Sequence, residues 1–194
     1  MNERPERTFM FLLMREIGDD TLPEARAKRA WVRRGTGRVI GEVPDVSRVL
    51  EPLLGRVEQP IAAHDRQIFD ELAYMIAPLY ALHTQYTENG NMGAHFRQLG
   101  APDSPPPASV ERRFVALLGA GREELSDVLR QCVLLLKAQS IGVNWPQLFA
   151  DLMRSYRRET DRDEVRRAWS RDFWREKLPQ VAVTTPEPSD SSAS

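Results

Sequence analysis

Apolar residues recur at helical spacing wherever a pattern can be read in this chain, and no run of alternating β-branched residues competes with it. Leu125, Val128, Leu129, Cys132, Leu135 and Leu136 fall at i, i+3, i+4 and i+7, which lays them along one stripe of a helix. Phe9, Leu12, Leu13 and Ile17 make an early stripe that stops at Gly18. Leu148, Phe149, Leu152 and Met153 make a late one, and Val165, Trp169 and Phe173 share one side of the last. Stripes of this kind are buried only by packing helix on helix. The expected fold is all-α: a compact multi-helix bundle with a disordered C-terminal tail.

Glycines, prolines and capping residues divide the chain. Thr21-Leu22-Pro23-Glu24 has the form of a capping box and predicts a helix running to Arg34, closed by Gly35-Thr36-Gly37. Residues 35–44 read as an irregular connection, and Asp45 is placed to cap a short helix ending at Leu54. A long helix is predicted over residues 61–84, with Pro78 expected to kink or split it. After the break at Asn89-Gly90-Asn91 comes a short helix over 92–99, then a proline-rich loop from Pro102. Ser109 predicts the N-cap of a helix through Leu118, Gly142 the end of the next, and Asn144 the cap of the one after. Residues 1–178 are expected to form a single helical domain, in which any two packed subregions would meet near the loop at 100–108. Residues 179–194 are rich in Ser and Pro and poor in bulky apolar groups, so they read as a disordered tail.

Recognisable catalytic spacing is missing. The histidines His64, His83 and His95 do not pair at i+3 or i+4, no Cys or His cluster has zinc spacing, and His83 reads as a packing residue. Gly35-Thr36-Gly37 follows a helix rather than a strand, so it is a turn and not a phosphate loop. Asp161, Asp163 and Glu164 open a helix, where its dipole favours acids, and lack calcium-loop spacing. The lone Cys132 rules out an internal disulfide and falls in an apolar stripe, as a small core residue does. The apolar patch at residues 9–14 is too short for a membrane span and lacks a cleavage site. The expectation is a cytoplasmic, non-membrane protein that is not an enzyme and uses no cofactor or metal.

What remains is charge. The net charge is −1, from 27 basic and 28 acidic residues, so only the distribution of cations can point to a partner. All but Lys28, Lys137 and Lys177 are arginine, which suits bidentate phosphate contacts but also follows from GC-rich coding. From Arg26 to Arg38 there is no acid, and Arg26, Arg29 and Arg33 share a helical face with Arg34 beside it and Lys28 nearby. This run is either a binding face or simply solvated around a core Trp31. Arg112 and Arg113 sit in the first turns of their helix, against the dipole preference. Arg130, between Leu129 and Cys132, either pairs with an acid such as Asp127 or reaches a groove. Arg157-Arg158 adds a further pair, and Arg166 and Arg167 follow an acidic stretch whose Asp163 and Glu164 compete for them. Clusters facing one way would form a groove tracking a sugar–phosphate backbone without reading its sequence. Trp31, Trp145, Trp169 and Trp174 offer stacking surfaces, although their register places most of them in the core. Two other classes fit the same residues: a stand-alone helical DNA-binding transcription regulator built on the turn at 142–146, and a protein-binding adaptor whose arginines pair internally.

The ordered motifs SVERRFVALLGAGREEL, LRQCVLLLKAQSIGVNWPQLFADLM and VRRAWSRDFW resemble the CasB family, the small subunit of the type I-E CRISPR Cascade surveillance complex. The resemblance spans residues 108–175 and is supported more thinly by ARAKRAWVRR and SRVLEPLL in the first half. It implies a helical, non-catalytic subunit that stabilises the crRNA–target DNA heteroduplex and the displaced strand of the R-loop. The implied partners are other Cascade subunits, crRNA, both target and non-target DNA strands, and a second copy of the chain. Carried onto this sequence, the family's basic patch falls on Arg33, Arg34, Arg112, Arg113, Arg130, Arg166 and Arg167, with Arg48 as a weaker member. Arg26, Lys28 and Arg29 join it on charge pattern alone.

Overall fold

The computed structural model describes residues 4–36, 43–58, 60–101, 104 and 106–175. Among them, nine helices run in order: α1 Pro5–Ile17, α2 Pro23–Arg33, α3 Pro44–Leu54, α4 Ala63–Leu82, α5 Met92–Arg97, α6 Ala108–Gly119, α7 Arg122–Ala138, α8 Trp145–Arg157 and α9 Glu159–Phe173. The only extended pairing among the described residues is an isolated parallel bridge between Tyr86 and Val143. The all-α expectation stands; the tail falls outside the described residues. No described helix is long and apolar enough to cross a membrane.

The predicted stripes are the buried ones. Phe9 of α1, Phe69 of α4 and Phe149 of α8 meet with ring centroids 5.0–6.0 Å apart, and all three are fully buried. A second aromatic group joins Phe96 of α5, Phe114 of α6 and Phe173 of α9, with Phe114 and Phe173 stacked at 4.1 Å. Truncating a ring at either centre to Ala removes about 3–5 kcal/mol on the usual scale for buried Phe. Cys132 is buried in α7, where the apolar environment pushes its thiol up to about 12 and leaves it inert.

Several boundaries differ from expectation for one reason: proline fixes them. Pro23 and Pro44 take the first helical position, where a missing N–H costs nothing, so the N-caps are Leu22 and Val43, neither with a side-chain cap. Thr21 therefore makes no capping box and donates its hydroxyl to Asp19 at 2.7 Å. Asp45 sits in the first turn of α3 and accepts from Arg34 at 3.1 Å. Pro107 is the N-cap of α6, which displaces Ser109 into the helix. Asn144 does cap α8, accepting from the Gln147 N–H at 3.2 Å. The helix α4 runs unsplit through Pro78, which is buried, with Gly35 leaving room beside it. Tertiary packing outweighs the lost hydrogen bond. The α7 helix stops before Gly142, at Ala138, and Ser140 takes the left-handed conformation (φ 53°) that reverses the chain.

Candidate nucleic-acid interface

Arg26, Arg29 and Arg33 recur along one side of α2, while Ala25 and Val32 on the same helix are buried. The three arginines line an open cavity of about 580 Å³. Its other walls are residues 81–85, at and just beyond the C-terminal end of α4, and Lys137 and Ser140 from the end of α7. Four cations thus face one concavity against a single carboxylate, Asp20.

The cations differ in freedom. Arg29 pairs with Asp20 and its side chain is only 14% exposed, so it forms a fixed wall. Lys137 donates from Nζ to the Leu82 carbonyl at 2.7 Å, at the end of α4 where helix carbonyls carry partial negative charge. That bond aims the ammonium without neutralising it. Arg26 and Arg33 are exposed, and no carboxylate lies within ion-pair distance of either among the described residues. His83, also in the cavity wall, is hydrogen-bonded through Nε2 to the Ile141 carbonyl at 2.7 Å. Burial, with Lys137 adding to it, pulls its imidazole below the ordinary range, against the opposing pull of the Ile141 bond. It therefore stays neutral at pH 7 and donates to that carbonyl as the packing residue expected.

The remaining predicted cations do not share this cavity. Lys28 pairs with Glu16, and Arg48 lies over the half-buried Trp31 ring at 5.6 Å, both lining a separate depression that also holds Glu24. Arg34 is tied to Asp45 at 3.1 Å. Arg130 is exposed, makes no ion pair with Asp127, and lies on the α7 stripe of Lys137 two turns earlier, about 10 Å along the axis. Arg112 is exposed on α6, and Arg113 donates to its own helix at the Ser109 carbonyl, 3.1 Å. On α9, half-buried Arg166 reaches the Ala120 carbonyl at 3.3 Å, and Arg167 bonds the Asp163 carbonyl at 3.2 Å. Arg157 forms an ion pair with Asp65 at 2.9 Å, and Arg158 is exposed at the junction of α8 and α9. The structure thus assembles one cationic cavity with Arg130 beyond it, together with separate arginines on other faces.

Of the tryptophans, Trp145 and Trp169 are core, as their register requires, and Trp174 is 47% exposed against the Phe114–Phe173 stack. Lys137 was not among the cations expected from sequence. Its signal was present, since a cation in the last turn of a helix that ends at a reversal faces whatever packs across that turn. Among the described residues, no three His, Cys, Asp or Glu side chains come together as a metal site would need.

Fold and surface define an all-helical protein with an arginine-lined cavity, and that shape is similar to solved CasB structures. Thermobifida fusca CasB superposes with a TM-score of 0.73 at 26% identity, covering 89% of this chain and 99% of that one. Thermus thermophilus CasB gives 0.68 at 28% identity with the same coverage. A chain of a solved CRISPR RNA-guided surveillance complex shares the fold at 22% identity and TM-score 0.65, covering 87% of this chain and 91% of its own. In sequence, the CRISPR-associated protein Cse2 of Thermus thermophilus is 30% identical over 161 residues, 80% of this chain and 86% of that protein. Residues 28–174 match the family described as CRISPR-associated protein Cse2, and the chain belongs to that family.

Proposed function

We propose that this chain is a non-catalytic small subunit of a type I-E Cascade complex, gripping nucleic-acid backbone to stabilise the R-loop. The observation that carries the reading is the cavity in which Arg26, Arg29, Arg33 and Lys137 converge against one carboxylate. Guanidinium groups held by a rigid wall offer bidentate contacts to phosphate oxygens, and such contacts position a strand irrespective of its sequence. Exchange of a DNA duplex for an RNA–DNA heteroduplex is nearly balanced in base-pairing energy, so a few backbone contacts are enough to tip it. Family membership and the shared fold with a chain of a CRISPR RNA-guided surveillance complex support the same reading. Its partners on this reading are crRNA, both strands of the target, neighbouring Cascade subunits and a second copy of the chain.

A transcription regulator fits less well. The helix after the 142–146 turn is α8, whose Leu148, Phe149, Ala150, Asp151, Leu152 and Met153 are all buried and cannot enter a major groove. The adaptor reading draws on the internally paired arginines, Arg29, Arg34, Arg154 and Arg157, but leaves Arg26 and Arg33 without a purpose.

The test is the double variant Arg26→Glu/Arg33→Glu in the assembled complex. Both side chains are exposed, so folding and assembly persist while the R-loop lifetime on a matched target shortens. Single-strand affinity of the isolated chain loses about 0.7 in its salt slope for each phosphate contact removed. An unchanged R-loop lifetime with an unchanged salt slope refutes the assignment.

A further inference from the structure

Beside the cationic cavity lies an aromatic pair. Thr84 and Gln85 line the cavity, and the next residue, Tyr86, projects a ring that is 36% exposed. It meets Phe11 of α1, 37% exposed, edge to face with centroids 6.4 Å apart. Large aromatic side chains displayed in pairs are uncommon on a surface without a partner, because each ring leaves apolar area in water.

The pair is rigid and framed by positive charge. The Gln85 carbonyl accepts from the Val143 N–H at 3.1 Å and from Trp145 Nε1 at 3.3 Å, and the Thr87 N–H donates to the Val143 carbonyl at 3.3 Å. Backbone is therefore pinned on both sides of Tyr86, and its ring is held out rather than swinging on a loop. On α1, Arg7, Phe11 and Arg15 fall at i, i+4 and i+8, all exposed on one face. The Arg7 guanidinium lies 5.2 Å from the Phe11 centroid, so this face already accepts a planar cation. Arg7 and Arg15 have no carboxylate within ion-pair distance among the described residues, and the charges that act on Tyr86 are Glu88 and Arg7. The two arginines bracket Phe11 over about 12 Å of helix.

We propose that Phe11 and Tyr86 form a stacking platform for an unpaired base of a single-stranded nucleic acid whose phosphates follow Arg7, Arg15 and the adjoining cationic cavity. The assignment rests on the phosphate-binding reading above and narrows it to an unstacked strand. A duplex presents its base faces to each other and only its edges and phosphates to a protein, so an aromatic face is of use only to a base that has left the stack. Cations interleaved with aromatics are the composition of such sites, and a hydrophobic partner helix would leave Arg7 and Arg15 buried without counter-charges.

The test compares binding of the full-length chain to an oligothymidine and to an abasic strand of equal length, at one salt concentration, by fluorescence anisotropy. The abasic strand keeps every phosphate and offers nothing to stack. The wild-type chain should prefer oligothymidine by roughly 5- to 150-fold, the range set by one base–aromatic stack. Tyr86→Ala should bring that preference close to unity while abasic binding is unchanged, and Tyr86→Phe should retain it. Equal wild-type affinity for the two strands overturns the platform and leaves the cavity reading standing. Loss of both affinities together in Tyr86→Ala also overturns it, since a stacking residue cannot affect a strand without bases. Failure of the wild-type chain to bind either strand overturns the phosphate-binding reading and the platform with it.

Discussion

Gly93 sets how closely two helices can approach, and replacing it measures that closeness. A Cβ built at this position would lie 1.8 Å from the carbonyl oxygen of Trp169, 2.7 Å from its carbonyl carbon and 3.0 Å from its Cα. All three atoms belong to the backbone of α9, so no rotamer change can relieve the clash. Ordinary contact needs about 3.5 Å between such atoms, and α5 must therefore retreat from α9 by well over 1 Å. The retreat also strains the neighbouring bond from Asn91 Nδ2 to Asp172 Oδ2, 2.7 Å long, and loosens the Phe96–Phe114–Phe173 group. Overpacking costs about 1–3 kcal/mol when side chains can adjust; here backbone meets backbone, and about 3 kcal/mol is the expected loss for Gly93→Ala. For a chain of this size that lowers Tm by roughly 6–12 °C. Gly119 is the internal control, because a Cβ there meets nothing within 4 Å, and Gly119→Ala should leave Tm unchanged or raise it slightly. Thermal unfolding followed by circular dichroism measures both. Equal Tm values for the two variants would refute the argument that the α5–α9 approach, rather than glycine flexibility, fixes residue 93.

Two further perturbations act on buried polar groups. Asp151 is buried between α8 and α9, accepting from Trp169 Nε1 at 2.7 Å and Gln147 Nε2 at 2.8 Å; Asp151→Ala should cost about 1–3 kcal/mol in urea unfolding by orphaning the indole N–H. Burial raises this carboxyl above the usual range, against the pull of those two hydrogen bonds, so Asp151→Asn, which keeps an acceptor without the buried charge, should recover most of the loss. His95 is fully buried and accepts the Asn144 N–H at Nε2, 3.1 Å, and burial pulls its imidazole down to about 4. The unfolded chain therefore binds a proton that the folded one refuses, and stability falls as pH drops from about 6.5 to about 4, by about 3 kcal/mol at most. Asp151 works in the opposite sense, since its folded form takes up a proton more readily. His95→Gln should flatten the acid limb of a Tm–pH profile, and an unchanged limb would show that another group carries it.

The helices were legible because their stripes are wide and few other patterns compete: the residues spaced at i, i+3, i+4 and i+7 in α7 are those the core covers. Helix starts were less so. Thr21, Asp45 and Ser109 all look like caps in isolation, but a proline within two residues fixes the backbone first, and the polar side chain is left to find a neighbour such as Asp19 or Arg34. The facing of arginines was least legible. Arg26, Arg29 and Arg33 share a face by helix geometry, which the sequence carries. That Lys137 meets them across the end of α4 is a tertiary fact with no local signature. Phe11 was hidden for the opposite reason: it sits within an apolar run and differs from Phe9 only by the side of α1 it occupies.

A chain of net charge −1 presents a cationic cavity through where its charges lie and not through their sum. Glu16 holds Lys28, Asp45 holds Arg34, Asp70 holds Arg66, Asp65 holds Arg157 and Glu164 holds Arg154, each acid matched to a cation away from the cavity lining. At the cavity only Asp20 opposes four cations. At physiological salt the resulting field is screened within about 8 Å, so the cavity acts by contact on a strand already beside it. In the proposed role that is an advantage. A subunit that meets its strand only after neighbouring subunits and the guide have opened the duplex needs contact-range attraction, and long-range attraction would load it with unrelated nucleic acid. The same logic favours arginine on rigid helical walls over mobile lysine, because the strand arrives already positioned and the cavity has only to hold it.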